Sequence, residues 1–109
     1  MRIVFLGSGK FGLPTLKRLH EDHEVQAVVT APPRTAGRNR KPRMTPIGTF
    51  ATEAHLELIE PENINGSEIV SRIHSLEAEA MVVIAFGQKL SSEVIGEHFA
   101  INLHASLLP

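Results

Sequence analysis

Arg2-Ile3-Val4-Phe5-Leu6-Gly7-Ser8-Gly9-Lys10-Phe11-Gly12-Leu13-Pro14 sets out a short apolar run, a glycine-rich turn and the beginning of a helix. A continuous apolar run of this length, closed by Gly7-Ser8-Gly9, reads as a buried strand. From Phe11 to His20, Leu13, Leu16 and Leu19 recur at helical spacing, and Pro14 is tolerated in a first turn. Strand, tight turn and helix together form the first unit of an α/β sheet, and the rest of the chain repeats that rhythm.

Glu24 to Thr30 is short and rich in β-branched residues, which predicts a second strand. A helix is expected from Pro46 to about His55, a short strand over Leu56 to Ile59, and a helix over Gly66 to Leu76. Ala80 to Ala85 is the plainest buried strand. A short helix near Ser92 to Gly96 and a fifth strand over Phe99 to Leu103 complete the series. Strands alternating with helices predict a parallel, Rossmann-like sheet with flanking helices and right-handed crossovers. The sequence runs out at Pro109, directly after the fifth strand, so the expectation is the front part of a larger domain, truncated there.

With 109 residues, one core is the limit. A hydrophobic share of 42% and a charged share of 21% fit an ordinary globular protein. With no cysteine, neither a disulfide framework nor a zinc-cysteine site can be built. The first apolar run is too short for a signal peptide or membrane span, so the expected compartment is the cytoplasm, with no membrane partner. The net charge of −1 is unevenly spread: between Glu24 and Glu53 there is no acid, while Arg34, Arg38, Arg40, Lys41 and Arg43 fall there. Residues 31–45 also hold Pro32, Pro33, Gly37 and Pro42 and read as an exposed loop, long for a connection inside one domain. A basic, proline-bounded loop suits an anionic partner, and by itself it is equally a solvated surface loop.

Gly7, Gly9 and Gly12 make G-x-G-x-x-G between the first strand and helix, a pattern that can bring backbone N–H groups to a dinucleotide phosphate. The acid expected at the end of the second strand to hold a ribose is missing, although Arg34 leaves a 2′-phosphate, and so NADP, open. The same glycines also serve simply to shape a strand-helix turn. Near the end, Asn102 and His104 stand two apart on a strand, hence on one face, at a carboxyl end where open α/β sheets bind ligands. An amide donor beside an imidazole suits acyl or formyl transfer, the amide holding a developing oxyanion and the imidazole moving a proton. Two polar residues capping a strand end are the plain alternative. Ser106 near His104 lacks the elbow of a serine hydrolase. His20, His23, His55, His74 and His98 are scattered without metal-ligand spacing, so no metal is expected.

Asn102-Leu103-His104-Ala105-Ser106-Leu107-Leu108-Pro109 closely resembles the N-x-H-x-S-L-L-P signature of the folate-dependent formyltransferases. Gly7 to Pro14 resembles the strand-turn-helix opening of the branch acting on methionyl-tRNA. Ala31-Pro32-Pro33-Arg34-Thr35-Ala36-Gly37-Arg38, with Asn39-Arg40-Lys41, resembles that branch's basic insertion, D-R-x-A-G-R followed by cations. Two departures are Pro33 in place of the acid and Ala105 in place of the commoner Gly or Pro.

The resemblance implies formyl transfer from 10-formyltetrahydrofolate to the amino group of methionyl initiator tRNA, for translation initiation. It assigns the formyl oxygen to Asn102 and assistance of the tetrahedral intermediate to His104. Phe86-Gly87-Gln88-Lys89-Leu90 would seat the pterin, and Ser106, Leu107, Leu108 and Pro109 would line the cleft. Arg38 would lead recognition of the acceptor stem, with Arg34, Arg40, Lys41 and Arg43 on phosphates. It implies further that an essential downstream aspartate and a C-terminal barrel lie beyond this sequence, that the chain alone is inactive, and that the complete enzyme is a monomer. Formyl transfer to a small amine or sugar nucleotide, an NADP-binding oxidoreductase and a non-catalytic RNA-binding module are the competing expectations.

Overall fold

The computed structural model describes residues 1–34 and 41–96, together with the backbone of 99–103. A 5-stranded parallel sheet is formed by β1 (Arg2–Gly7), β2 (Glu24–Val29), β3 (Leu58–Ile59), β4 (Ala80–Ile84) and β5 (Phe99–Leu103), in the order β3-β2-β1-β4-β5. The connections carry α1 (Leu13–Asp22), α2 (Pro46–Glu53), α3 (Ser67–Ser75) and α4 (Ser92–Ile95).

The central strands are apolar on both sides because a helical layer covers each face. On one face Ile3, Phe5, Val25, Val28, Val82 and Ile84 pack with Leu16 of α1 and with Ile47 and Ala51 of α2. On the other, Val4, Leu6, Ala27, Val29, Met81 and Val83 pack with Ile73 of α3 and Val94 of α4. The chain therefore steps from β1 to β2 to β3 beneath one layer, then crosses to β4 and β5 beneath the other. Right-handed crossovers running in opposite directions require this division of the helices. Gly7 pairs in register with Ile84, so the carboxyl ends of β1 and β4 are neighbours. Their connections leave toward opposite faces, which opens a crevice at that edge.

The expected architecture is present, with shifts at the ends of elements. Lys10–Gly12 forms a 3₁₀ turn before α1, which then runs to Asp22. β4 stops one residue early because Ala85 takes φ 50, a left-handed conformation that no strand continues. The strand expected from Leu56 starts at Leu58, after His55 turns the end of α2 at φ 60. β2 contains a bulge: Ile3 pairs with Val25 but Val4 with Ala27, leaving Gln26 as the extra residue. The bulge reverses the alternation, so Val25 and Ala27 pack on opposite faces of the sheet.

Candidate active site

The glycine turn at the crevice divides into two roles. A Cβ on Gly7 would lie 2.7 Å from the Ile84 carbonyl oxygen and 2.8 Å from the Phe5 ring. One on Gly12 would meet the Phe5 ring at 3.1 Å and Ile84 at 3.3 Å. These two glycines let β1, β4 and the start of α1 close on each other. Gly9 faces open space, its nearest neighbour being the Phe11 nitrogen at 4.0 Å, and Phe11 beside it is 55% exposed. Of the three glycines in this turn, Gly9 alone therefore has room to admit a ligand to the backbone.

Ser8 ties the turn to both neighbouring strand ends. Its N–H donates to the Ala85 carbonyl at 3.3 Å, and its hydroxyl donates to the Phe86 carbonyl at 3.2 Å. The same hydroxyl accepts from the Ala31 N–H at 3.1 Å, just past β2. In the place of a ribose-binding acid stands Thr30, fully buried, with its hydroxyl bonded to that of Thr45. Thr45 in turn caps α2 by accepting from the Gly48 N–H at 3.0 Å.

After β4, Ala85 and Gly87 both have positive φ, 50 and 94. The side chains of the segment turn inward: Phe86 is buried in the core, and Leu90 packs against the same cluster. The Gln88 amide is engaged at both ends, its oxygen accepting from the Ile64 N–H at 2.8 Å and its nitrogen donating to the Pro61 carbonyl at 3.2 Å. Lys89 is exposed. The main chain is largely unspent. Ser8 takes the Phe86 carbonyl, and Asn65 donates to the Lys89 carbonyl at 3.0 Å. Among the described residues, the main-chain groups of Gly87 and Leu90 and the N–H groups of Gln88 and Lys89 have no protein partner. A strip of free backbone donors and acceptors in a fixed loop can recognise a flat heterocycle by its edge.

Asn102 stands in register with Val83, one residue before the end of β5, so it is level with the last turn of sheet beside this segment. His104, Ser106, Leu107, Leu108 and Pro109 lie outside the described residues, as do Arg38 and Arg40. The basic loop leaves β2 at the same edge. Its base is an antiparallel bridge in which the Arg34 N–H donates to the Arg43 carbonyl at 3.2 Å and the Arg43 N–H donates to the Arg34 carbonyl at 3.0 Å. Arg34, Lys41 and Arg43 are exposed, and the ion pairs found among the described residues involve none of them. Like charges directly opposite across a bridge repel unless a counter-charge sits between them. Among the described residues no group of His, Asp and Glu is placed to hold a metal ion. No helix among them is long and apolar enough to cross a membrane. The open depression lined by Met1, His20, His23, Val25 and Leu56 lies at the amino ends of the strands, the opposite edge from the crevice.

The family model described as formyl transferase matches residues 1–109. The chain belongs to the formyl transferase family. It is 43% identical over 113 residues to a protein of Halothermothrix orenii named methionyl-tRNA formyltransferase, covering 100% of this chain and 36% of that protein. A protein of the same name from Cereibacter sphaeroides is 42% identical over 111 residues, covering 100% of the chain and 37% of its own length. One from Fusobacterium nucleatum is 35% identical, with 100% of the chain and 36% of that protein aligned. The chain thus spans little more than a third of these formyl transferase relatives.

Sequence reasoning passed over Ser8, Thr45, Asn65 and Ala85. Ser8 sat inside a pattern read only for its glycines. Thr45-Pro46 is a legible helix start, but its link to Thr30 crosses from the end of a strand to the start of a helix. Asn65-Gly66 announces a turn and nothing about residues 89 and 91.

Proposed function

We propose that the protein to which this chain belongs transfers a formyl group from 10-formyltetrahydrofolate to the amino group of methionyl initiator tRNA, in the cytoplasm. The observation that carries the reading is the set of main-chain groups left unpartnered at Gly87, Gln88, Leu90 and the Lys89 N–H, after the strand that pairs with Asn102 at the carboxyl edge of a family member's sheet. The amine nitrogen attacks the formyl carbon, and negative charge gathers on the formyl oxygen. Asn102 donates to that oxygen, and His104 takes the proton from the attacking amine. The carbon–N10 bond then breaks, N10 is protonated, and tetrahydrofolate leaves. The main chain of Phe86 to Leu90 holds the pterin, and Ser106 to Pro109 closes the cleft. No metal takes part in this scheme.

The RNA is held by the basic loop, with Arg38 on the acceptor stem and Arg34, Arg40, Lys41 and Arg43 on phosphates. The Arg34–Arg43 backbone bridge favours this reading, because it starts two exposed arginine side chains from one place, where a phosphate can accept from both. The full-length protein acts as a monomer. The test is formyl transfer to methionyl initiator tRNA by the full-length protein. Asn102→Ala is expected to lower kcat by a factor on the order of 10² to 10³, as loss of an oxyanion donor does. Transfer to a small amine or sugar nucleotide, with none to tRNA, would sink the RNA part and keep the chemistry.

A further inference from the structure

The loop after β3 and the loop after β4 grip each other by a reciprocal exchange of side-chain amides. Gln88, from the β4 loop, bonds the backbone of the other loop through both amide atoms: the Ile64 N–H at 2.8 Å and the Pro61 carbonyl at 3.2 Å. Asn65, from the β3 loop, answers with both of its own. Its nitrogen donates to the Lys89 carbonyl at 3.0 Å, and its oxygen accepts from the Ser91 N–H at 2.9 Å. Each amide has a donor and an acceptor fixed about 2 Å apart, so each can straddle a segment of main chain and set its orientation as well as its distance. Pro61 and Ile64 are themselves buried, Ile64 within the core, so one jaw of this clamp is anchored in the body of the sheet.

The clamp brackets the segment that needs holding. Ala85 at φ 50 and Gly87 at φ 94 are conformations a free loop leaves readily. Ser8 fixes the start of the segment at Ala85 and Phe86, and Asn65 with Gln88 fixes its end at Lys89 and Ser91. We infer that Asn65 and Gln88 are positioning residues that hold the backbone of 87–90 in its ligand-ready shape without using their side chains on the ligand. This rests on the pterin-seating reading of that segment. Asn65 lies on a different loop, yet it governs the same backbone.

A segment competent only part of the time binds with an apparent Kd raised by the inverse of that fraction. Loss of both hydrogen bonds of one jaw, with the other jaw still holding, is expected to raise the Kd about tenfold. The experiment is tetrahydrofolate binding by the full-length protein and its Asn65→Ala, Gln88→Ala and doubly substituted variants, with acceptor-stem RNA as a second ligand. Amide hydrogen exchange at Ile64, Ser91 and the β1 and β4 strands is followed alongside. The expected result is a Kd for tetrahydrofolate about tenfold weaker in either single variant and little weaker still in the double, since both grips hold one loop pair. RNA affinity stays within about twofold and the strands stay protected. Asn65→Asp, which keeps the acceptor for Ser91 and loses the donor to Lys89, is expected to fall between wild type and Asn65→Ala. Fast exchange at Ile64 and Ser91 with unchanged tetrahydrofolate affinity overturns the inference and leaves the folate reading standing. A wild-type protein that binds no tetrahydrofolate overturns both.

Discussion

At the scale of single residues, three similar-looking glycines do different work. Gly7 is held by contacts to backbone and to a core ring, neither of which can retreat. Gly7→Ala is expected to cost about 2 kcal/mol by urea unfolding, the ordinary range for forcing atoms into a filled core. Gly9 has extended backbone, φ −87 and ψ 169, and open space around it. Gly9→Ala should leave stability unchanged or raise it by up to about 0.5 kcal/mol, because alanine fits there and loses less entropy on folding. Equal losses at both positions would show that the turn is uniformly tight. The G-x-G-x-x-G spacing was visible in the sequence. Which glycine serves packing and which faces the crevice was not, because it depends on how close β4 comes to β1.

At the scale of elements, the start of α2 and the base of the basic loop are each tied to the end of β2. Thr45 caps α2 and gives the buried Thr30 hydroxyl its partner. Thr45→Ala therefore removes a cap and orphans a buried hydroxyl, at an expected cost of about 2 kcal/mol in thermal or urea unfolding. Thr45→Ser, which keeps the oxygen, should cost well under half of that. An equal cost of Thr45→Ala in the wild-type and Thr30→Val backgrounds would confine the loss to the cap and dismiss the Thr30 link. For the Arg34–Arg43 bridge, binding of acceptor-stem RNA should follow counterion release. Replacing either arginine by alanine is expected to reduce the slope of log affinity against log salt by about 1, with affinity lowered uniformly across sequences. An unchanged salt slope would leave these two guanidinium groups as solvent-facing charges only.

Over the whole molecule, β1 is pinned to the turn before β4 at the amino edge, as the crevice loops are pinned at the carboxyl edge. The Arg2 N–H donates to the Glu79 carboxylate at 2.9 Å, and the Glu79 N–H donates to the Arg2 carbonyl at 2.8 Å. The hydrogen bond from the Arg2 backbone, with help from nearby positive charge, holds the Glu79 carboxyl below its ordinary value. A lowered folded-state pKa means stability that is present above the unfolded glutamate value, about pH 4.3, and lost as pH falls through the folded one. Acid unfolding of Glu79→Gln should accordingly show a shallower fall in stability below that pH than wild type, and identical profiles would remove the carboxyl from the acid response.

The sequence by itself determined that strands and helices alternate, that β1 and β4 are buried on both faces, and that a basic stretch follows β2. These follow from local chemistry: the spacing of apolar side chains, glycine and proline at turns, and the absence of acids across one segment. The resemblance at Asn102 to Pro109 and at Gly7 to Pro14 gave the family, which the match over residues 1–109 bears out. Only the tertiary structure decided that Gln26 is a bulge, so that neighbouring residues of β2 change faces. It alone decided that Gln88 turns into the loop at 61–64 and that Asn65 answers it from that loop at Lys89 and Ser91. The physical reason is sequence separation. Gln88 and Ile64, or Gly7 and Ile84, meet because a right-handed crossover returns the chain to the centre of the sheet. A periodicity read along one strand or helix cannot carry the distance between two such segments.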